Sequence, residues 1–224
     1  MSAELRKRTI TSIFLFIVTI FYILINQIIF TISLFVVAFI CFNEWIRINT
    51  KYYLKKKSKY FLIKIFGLFY LFVFFIPSAW FLRGESFESV IFFIIILFIC
   101  ISSDIGGYTF GKIIGGRKLT KISPNKTISG SIGSFIFSVL PLLLFYIQHY
   151  VDLHFEFSLK NILFCIIISL SCQLGDLIIS YYKRLNNVKD TGTILPGHGG
   201  LLDRIDGIIF AIPVVYILKV SQIF

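Results

Sequence analysis

Apolar residues fall in long runs in this chain, and polar residues gather almost wholly between them. The runs cover roughly residues 9–26, 28–46, 60–82, 87–104, 129–148, 159–182 and 205–223. Each is close to the ~17–25 residues a helix needs to cross a bilayer core. The apolar positions fill whole helical turns and do not form the one-sided stripe of a soluble surface helix. The pattern predicts an all-α, polytopic membrane bundle of about seven transmembrane helices. The second run is the least regular, because Glu44 and Arg47 crowd its end. The first follows Arg6, Lys7 and Arg8, as a signal peptide would. It is long for a signal core and no small-x-small cleavage pattern follows, so a retained helix is expected.

Composition agrees with this pattern. The chain has 224 residues, of which 57% are hydrophobic, with 27 Phe, and a mean hydropathy of +0.89. A soluble domain is nearer half apolar and richer in charge. The four cysteines, Cys41, Cys100, Cys165 and Cys172, lie in or at the ends of apolar runs without paired spacing. Neither disulfides nor a zinc site is expected.

The formal net charge is +11, and its distribution carries orientation. Basic residues concentrate at the N-terminus, in the connection holding Arg47 to Lys59, in that holding Lys112 to Lys126, and in that holding Lys183 to Arg204. The intervening connections are neutral or mixed: Asn26 and Gln27, then Arg83, Glu85 and Glu88, then His149, Asp152, His154, Glu156 and Lys160. Every second connection is therefore expected on the cytoplasmic side, with the N-terminus inside. Short basic loops between spans speak against nucleic acid and for anionic headgroups or a phosphorylated substrate. No internal repeat or soluble domain interrupts the pattern. The chain divides into N-terminal membrane helices, 1–100, and a C-terminal membrane domain, 101–224. The second part has inner-face loops at 104–128 and 183–204.

Those two loops hold the candidate chemistry. In "SSDIGGYTFGKIIGGRKLTKISPNKTISG", Asp104 closes an apolar run, where an unpaired carboxylate is costly. The glycines that follow permit close backbone approach, and Lys126 stands among the hydroxyls of Ser123 and Thr127, the chemistry of a phosphate cradle. Asp176, Ser180, Lys183 and Arg184 then stand at i, i+4, i+7 and i+8, on one helical face. In "KDTGTILPGHGGLLDRIDG", Asp203 and Asp206 are three apart and can face one point. Asp176 lies near in this scheme, with Asp190 or Asp104 as further donors. An all-oxygen set suits Mg²⁺, as one or two divalent ions or one with a monovalent ion. Arg204 and His198 sit among these carboxylates. Carboxylates, cations and glycines at one membrane face fit phosphoryl or nucleotidyl transfer.

"SYYKRLNNVKDTGTILPGHGGLLDRID" resembles the signature of the phosphatidate cytidylyltransferases, the CDP-diacylglycerol synthases. Ser180, Lys183, Arg184, Lys189, Asp190, Pro196, His198, Gly199, Gly200, Asp203, Arg204 and Asp206 match that pattern. "DIGGYTFGKIIGG" and "SPNKT" resemble the family's other loop. Tyr182 and Ser129 depart from it. The resemblance implies transfer of CMP from CTP to phosphatidate with Mg²⁺, giving CDP-diacylglycerol and pyrophosphate. It implies Asp203, Asp206, Asp176, Arg204, Lys183, Arg184 and His198 as catalytic groups. Lys126, Ser123, Thr127, Lys189, Ser180, Gly199 and Gly200 would contact substrate, and Asp190 and Asp104 would join the metal set. Expected partners are CTP, phosphatidate and the bilayer, with a homodimer allowed and no nucleic acid. The expected location is the cell inner membrane, with the site on its cytoplasmic face. The alternatives are a CTP-dependent enzyme acting on another lipid, such as a polyprenol kinase or an archaeol-type cytidylyltransferase, and a transporter. A transporter would hold its polar residues near mid-membrane. The Asp-Gly-x-x-Ala-Arg motif of CDP-alcohol phosphotransferases is absent.

Overall fold

A computed structural model describes residues 17–21, 23–53, 57–120, 122–148, 158–195 and 199–223. Outside this range lie Arg6, Lys7, Arg8 and half of the first expected span, together with Lys55, Lys56 and Lys121. The mixed-charge connection from His149 to Glu156 and the residues Pro196 and His198 also lie outside it.

Among the described residues every regular element is a helix. The backbone breaks at residues 25 and 26, where Asn26 caps the next helix by accepting a bond from the Ile28 N–H at 2.9 Å. That helix is α1, Gln27–Tyr53. A second long helix, α2, covers Lys57–Arg83 and widens into a π turn at Tyr70–Phe75. Pro77 follows the π turn; it has no N–H to give the preceding turn, and the wider winding accommodates that loss. Helix α3, Phe87–Ile113, opens on Ser86, whose hydroxyl accepts from the Ser89 N–H at 3.2 Å. It runs nine residues beyond the expected end at Asp104.

The expected span 129–148 is two helices, α4 (Ile128–Ser138) and α5 (Leu140–Gln148). Pro141 again cannot donate to the turn before it, so the ladder stops at Val139. Helix α6 is Leu159–Leu185, with Lys183 and Arg184 in its last turn. There they complement the negative end of the helix dipole. Helix α7 is Leu202–Val220.

Four of these helices are long and apolar enough to cross a membrane: Gln27–Thr50, Lys57–Arg83, Phe87–Ile113 and Leu159–Leu185. Helix α7 is shorter and carries Asp203, Arg204, Asp206 and Lys219. Large side chains such as Ile28, Phe61, Phe87 and Leu159 face outward. That is costly in water and neutral in lipid. The core lies where α3, α6 and α7 meet, around Ile95, Ile96, Ile99, Ile168, Ile212 and Val215. Pro213 leaves the Ile209 carbonyl of α7 without its helical donor, and Tyr70 of the π turn donates its hydroxyl there at 3.4 Å. At one end of the bundle Arg83 is buried and donates to the carbonyls of Ile23, Ile25 and Gly84. The candidate site is built from the opposite ends of α2's neighbours α3, α6 and α7.

Candidate functional site

Small residues set the distances between the helices of the site. A Cβ on Gly130 would lie 2.8 Å from the Gly107 carbonyl, and one on Gly133 would lie 2.7 Å from that of Gly106. The glycines of "DIGGYTFG" therefore lie inside α3 and let α4 press against it. This corrects the expected role of Gly106, Gly107 and Gly111 in a phosphate loop. Only residues 114–127 form the connection. It turns at Gly115 and Gly116, whose φ values of +61° and +101° favour glycine. The strand-like return pairs the Leu119 N–H with the Lys126 carbonyl at 2.8 Å and the Ile128 N–H with the Arg117 carbonyl at 3.0 Å. The Ser123 backbone carbonyl closes the turn by accepting from the Lys126 N–H at 3.1 Å. Thr127 is the N-cap of α4, its hydroxyl accepting from the Gly130 N–H at 3.1 Å. Both hydroxyl residues thus shape the loop that carries Lys126.

Helix α6 meets α7 in the same way. A Cβ on Gly175 would lie 2.6 Å from the Asp206 carbonyl, and Gly207 packs on Cys172. Asp176 of α6 and Asp206 of α7 are thereby neighbours, and Asp104 of α3 joins them within electrostatic reach. The positive charges of Lys126 and Lys183 reach Asp104 and Asp206 electrostatically. Lys126 Nζ stands 2.5 Å from Asp176 Oδ2, while Ser180 donates to Asp176 Oδ1 at 3.1 Å. Asp206 Oδ1 accepts from the adjacent Gly207 N–H at 2.9 Å. Among the described residues no three His, Cys, Asp or Glu side chains form a ready-made metal group.

Asp203 has a different setting. Its Oδ1 accepts from Lys183 Nζ at 2.7 Å. Its Oδ2 accepts from the Thr191 N–H at 2.7 Å, the Thr191 hydroxyl at 3.0 Å and the Gly200 N–H at 3.1 Å. Burial opposes its charge, but the Lys183 ammonium and the two backbone N–H groups outweigh that and hold the carboxyl below the usual carboxylate range. A carboxylate has about four acceptor positions, and here protein donors take them. The expected metal pair of Asp203 and Asp206 is thus divided: Asp203 secures the loop, and Asp206 faces the other acids.

Glu44 completes this corner, and it is the residue missed from sequence. It lies on α1, 3% exposed. It accepts from the Leu201 N–H at 3.0 Å, the Leu202 N–H at 2.8 Å and the Thr191 hydroxyl at 2.9 Å. Helix α7 has no side-chain cap of its own; Glu44 supplies one from another helix. The available signal was a carboxylate inside an apolar run, which demands partners. Of the remaining expected residues, Arg184, Lys189, Asp190 and Arg204 are exposed around this corner. Gly199 packs against Asp190 and Asp203, and its φ is +85°. Gly200 packs against Thr191 and Glu44. His198 lies outside the described residues.

The chain matches the model of the cytidylyltransferase family over residues 50–221. It belongs to that family. The matched stretch contains Asp104, Lys126, Asp176, Lys183, Asp203 and Asp206 and excludes Glu44. The chain is also similar to proteins named phosphatidate cytidylyltransferase. It is 43% identical to that of Staphylococcus epidermidis over 141 residues. It is 41% identical to that of Staphylococcus saprophyticus over 140 residues and 42% to that of Staphylococcus aureus over 143. Each match covers 62% of this chain and 52% of the relative. The chain thus spans about half the length of the curated relatives it matches.

Proposed function

We propose that this chain transfers CMP from CTP to phosphatidate, giving CDP-diacylglycerol and pyrophosphate. One observation carries the proposal. In a chain of the cytidylyltransferase family, carboxylates of α3, α6 and α7 lie within electrostatic reach of one another at one end of the bundle, where Lys126 pairs with Asp176 and Lys183 with Asp203. Acids at such a position are costly unless they hold something.

The donor set fits Mg²⁺ in its chemistry, being all oxygen. Mg²⁺ is usually bound by one or two carboxylates together with substrate phosphates, so a closed protein cage is unnecessary. One or two of Asp104, Asp176 and Asp206 would hold it together with the substrate phosphates, and Asp203, filled by protein donors, would not. When bound, the ion neutralises charge on the triphosphate. Lys126 leaves Asp176 for the CTP phosphates. This exchange is inexpensive, because a pair exposed by 26% and 37% contributes about 0–1 kcal/mol. Arg184, exposed at the end of α6, meets the lipid phosphate, and Lys183 stays with Asp203. The lipid phosphate is already anionic at neutral pH, so positioning and charge neutralisation carry the step and no strong base is required.

The accompanying topology has seven spans, with the N-terminus and both loops at the cytoplasmic face of the inner membrane. Purified protein with radiolabelled CTP, phosphatidate and Mg²⁺ tests the activity. Label in CDP-diacylglycerol is expected. Label in no lipid, or only with another lipid acceptor, would overturn the assignment.

A further inference from the structure

Glu44 stands outside the family-matched stretch, yet it holds the backbone on which the site depends. Its carboxylate meets two N–H groups at the start of α7 and the Thr191 hydroxyl, all within 2.8–3.0 Å. The same short segments supply three of the four donors to Asp203: the Thr191 N–H, the Thr191 hydroxyl and the Gly200 N–H. Thr191 is itself 2% exposed. Its single hydroxyl hydrogen lies between Glu44 Oε2 at 2.9 Å and Asp203 Oδ2 at 3.0 Å. A shift of either carboxylate therefore changes the bonding of the other. The packing is equally restrictive. A Cβ on Gly192 would stand 2.5 Å from Glu44 Oε1, and one on Gly200 would stand 2.5 Å from Oε2. Glycine at both positions is what admits the carboxylate to the loop.

Resting on the cytidylyltransfer proposed above, we infer that Glu44 is a positioning residue for that reaction. It fixes Thr191, Gly192 and residues 200–202 at the first turn of α7, and through them the placement of Asp203, Lys183 and Asp206. A cap that only stabilised α7 would raise the folded fraction and leave the folded enzyme's kinetics alone. A residue that sets geometry acts on turnover, since a displacement of about 1 Å at a reacting centre can cost ~100-fold.

The test compares Glu44→Gln, Glu44→Asp and a control of similar stability loss at the other end of the bundle, Leu82→Ala. The amide of Gln keeps the size but loses acceptor capacity toward three donors. In Glu44→Gln, kcat is expected to fall about ten- to a hundredfold, with KM for both substrates within about twofold. Glu44→Asp should recover part of the loss, and Leu82→Ala should turn over normally per folded molecule. Hydrogen exchange on the full chain in detergent gives a readout independent of activity. The amides of Thr191, Gly200, Leu201 and Leu202 should lose protection in Glu44→Gln, while that of Gly130 keeps it. If Glu44→Gln does not fold, Thr191→Val cuts the shared hydroxyl and should show the same loss of kcat. Parental kcat in a folded Gln or Val variant, or unchanged protection at 191 and 200–202, overturns the inference. If the parent protein makes no CDP-diacylglycerol but the exchange pattern appears, the positioning of the loop stands and the substrate assignment fails.

Discussion

Lys126–Asp176 and Lys183–Asp203 are ion pairs of the same chemistry and nearly the same length, 2.5 and 2.7 Å, at different depths. The first has side chains exposed by 26% and 37%, the second by 12% and 8%. An exposed pair contributes little and gives way to a stronger partner, whereas removing half of a buried pair strands a charge. The comparison separates two jobs that a sequence motif presents as one. Charges near the open pair can change partners at little cost. Charges in the buried pair hold a loop. Asp206 and Asp104 belong with the open pair by their electrostatic contact with Asp176. Thr191, Gly200 and Glu44 belong with the buried one.

The sharpest break of this division is Asp206→Asn or Asp176→Asn. Each should lower kcat by roughly 100- to 1000-fold, the cost of removing a preorganised electrostatic group, with an unchanged melting temperature. A melting temperature that falls with activity would move these acids into the structural set. Asp203→Asn should differ in kind. Losing the charge opposite Lys183 is expected to cost about 1.5–3 kcal/mol of stability, seen as a lower melting temperature together with reduced turnover. Retention of full stability would show that the loop does not rely on this pair. The smallest effects belong to the outermost cations. Lys126→Ala should raise KM for CTP, and Arg184→Ala should raise KM for phosphatidate, each about tenfold for one lost charge-assisted contact. Equal shifts for both substrates in both variants would merge the two subsites into one polyanion pocket.

Much of the fold was legible because membrane helices announce themselves by length and polarity. The runs at 28–46, 60–82 and 159–182 became α1, α2 and α6 with their ends extended. The breaks inside runs were less legible. Pro77 and Pro141 mark the π turn and the division of α4 from α5, but a proline shows only that a bond is lost and not how the helix adapts. The glycines after Asp104 were misread for a similar reason. Absence of a side chain permits a ligand loop or a close helix contact equally, and only the partners Gly130 and Gly133 decide. In the site, Asp104, Asp176 and Asp206 lie within electrostatic reach of one another. The separation of Asp203 from Asp206 could not be read from their spacing, which puts both on one helical face. It depends on Lys183 and Thr191, which approach from other parts of the chain.

The bonds of Glu44 also bear on how the molecule is made. They reach 147, 157 and 158 residues along the chain. During synthesis α1 therefore enters the bilayer long before its carboxylate has anything to bind. An acid near the end of a span costs less than the ~2.5–3.5 kcal/mol of one at its centre, but that cost persists until α7 docks. The nascent bundle thus carries a built-in bias toward accepting α7, and a chain stopped short of Thr191 would keep its oily helices together with an unsatisfied charge.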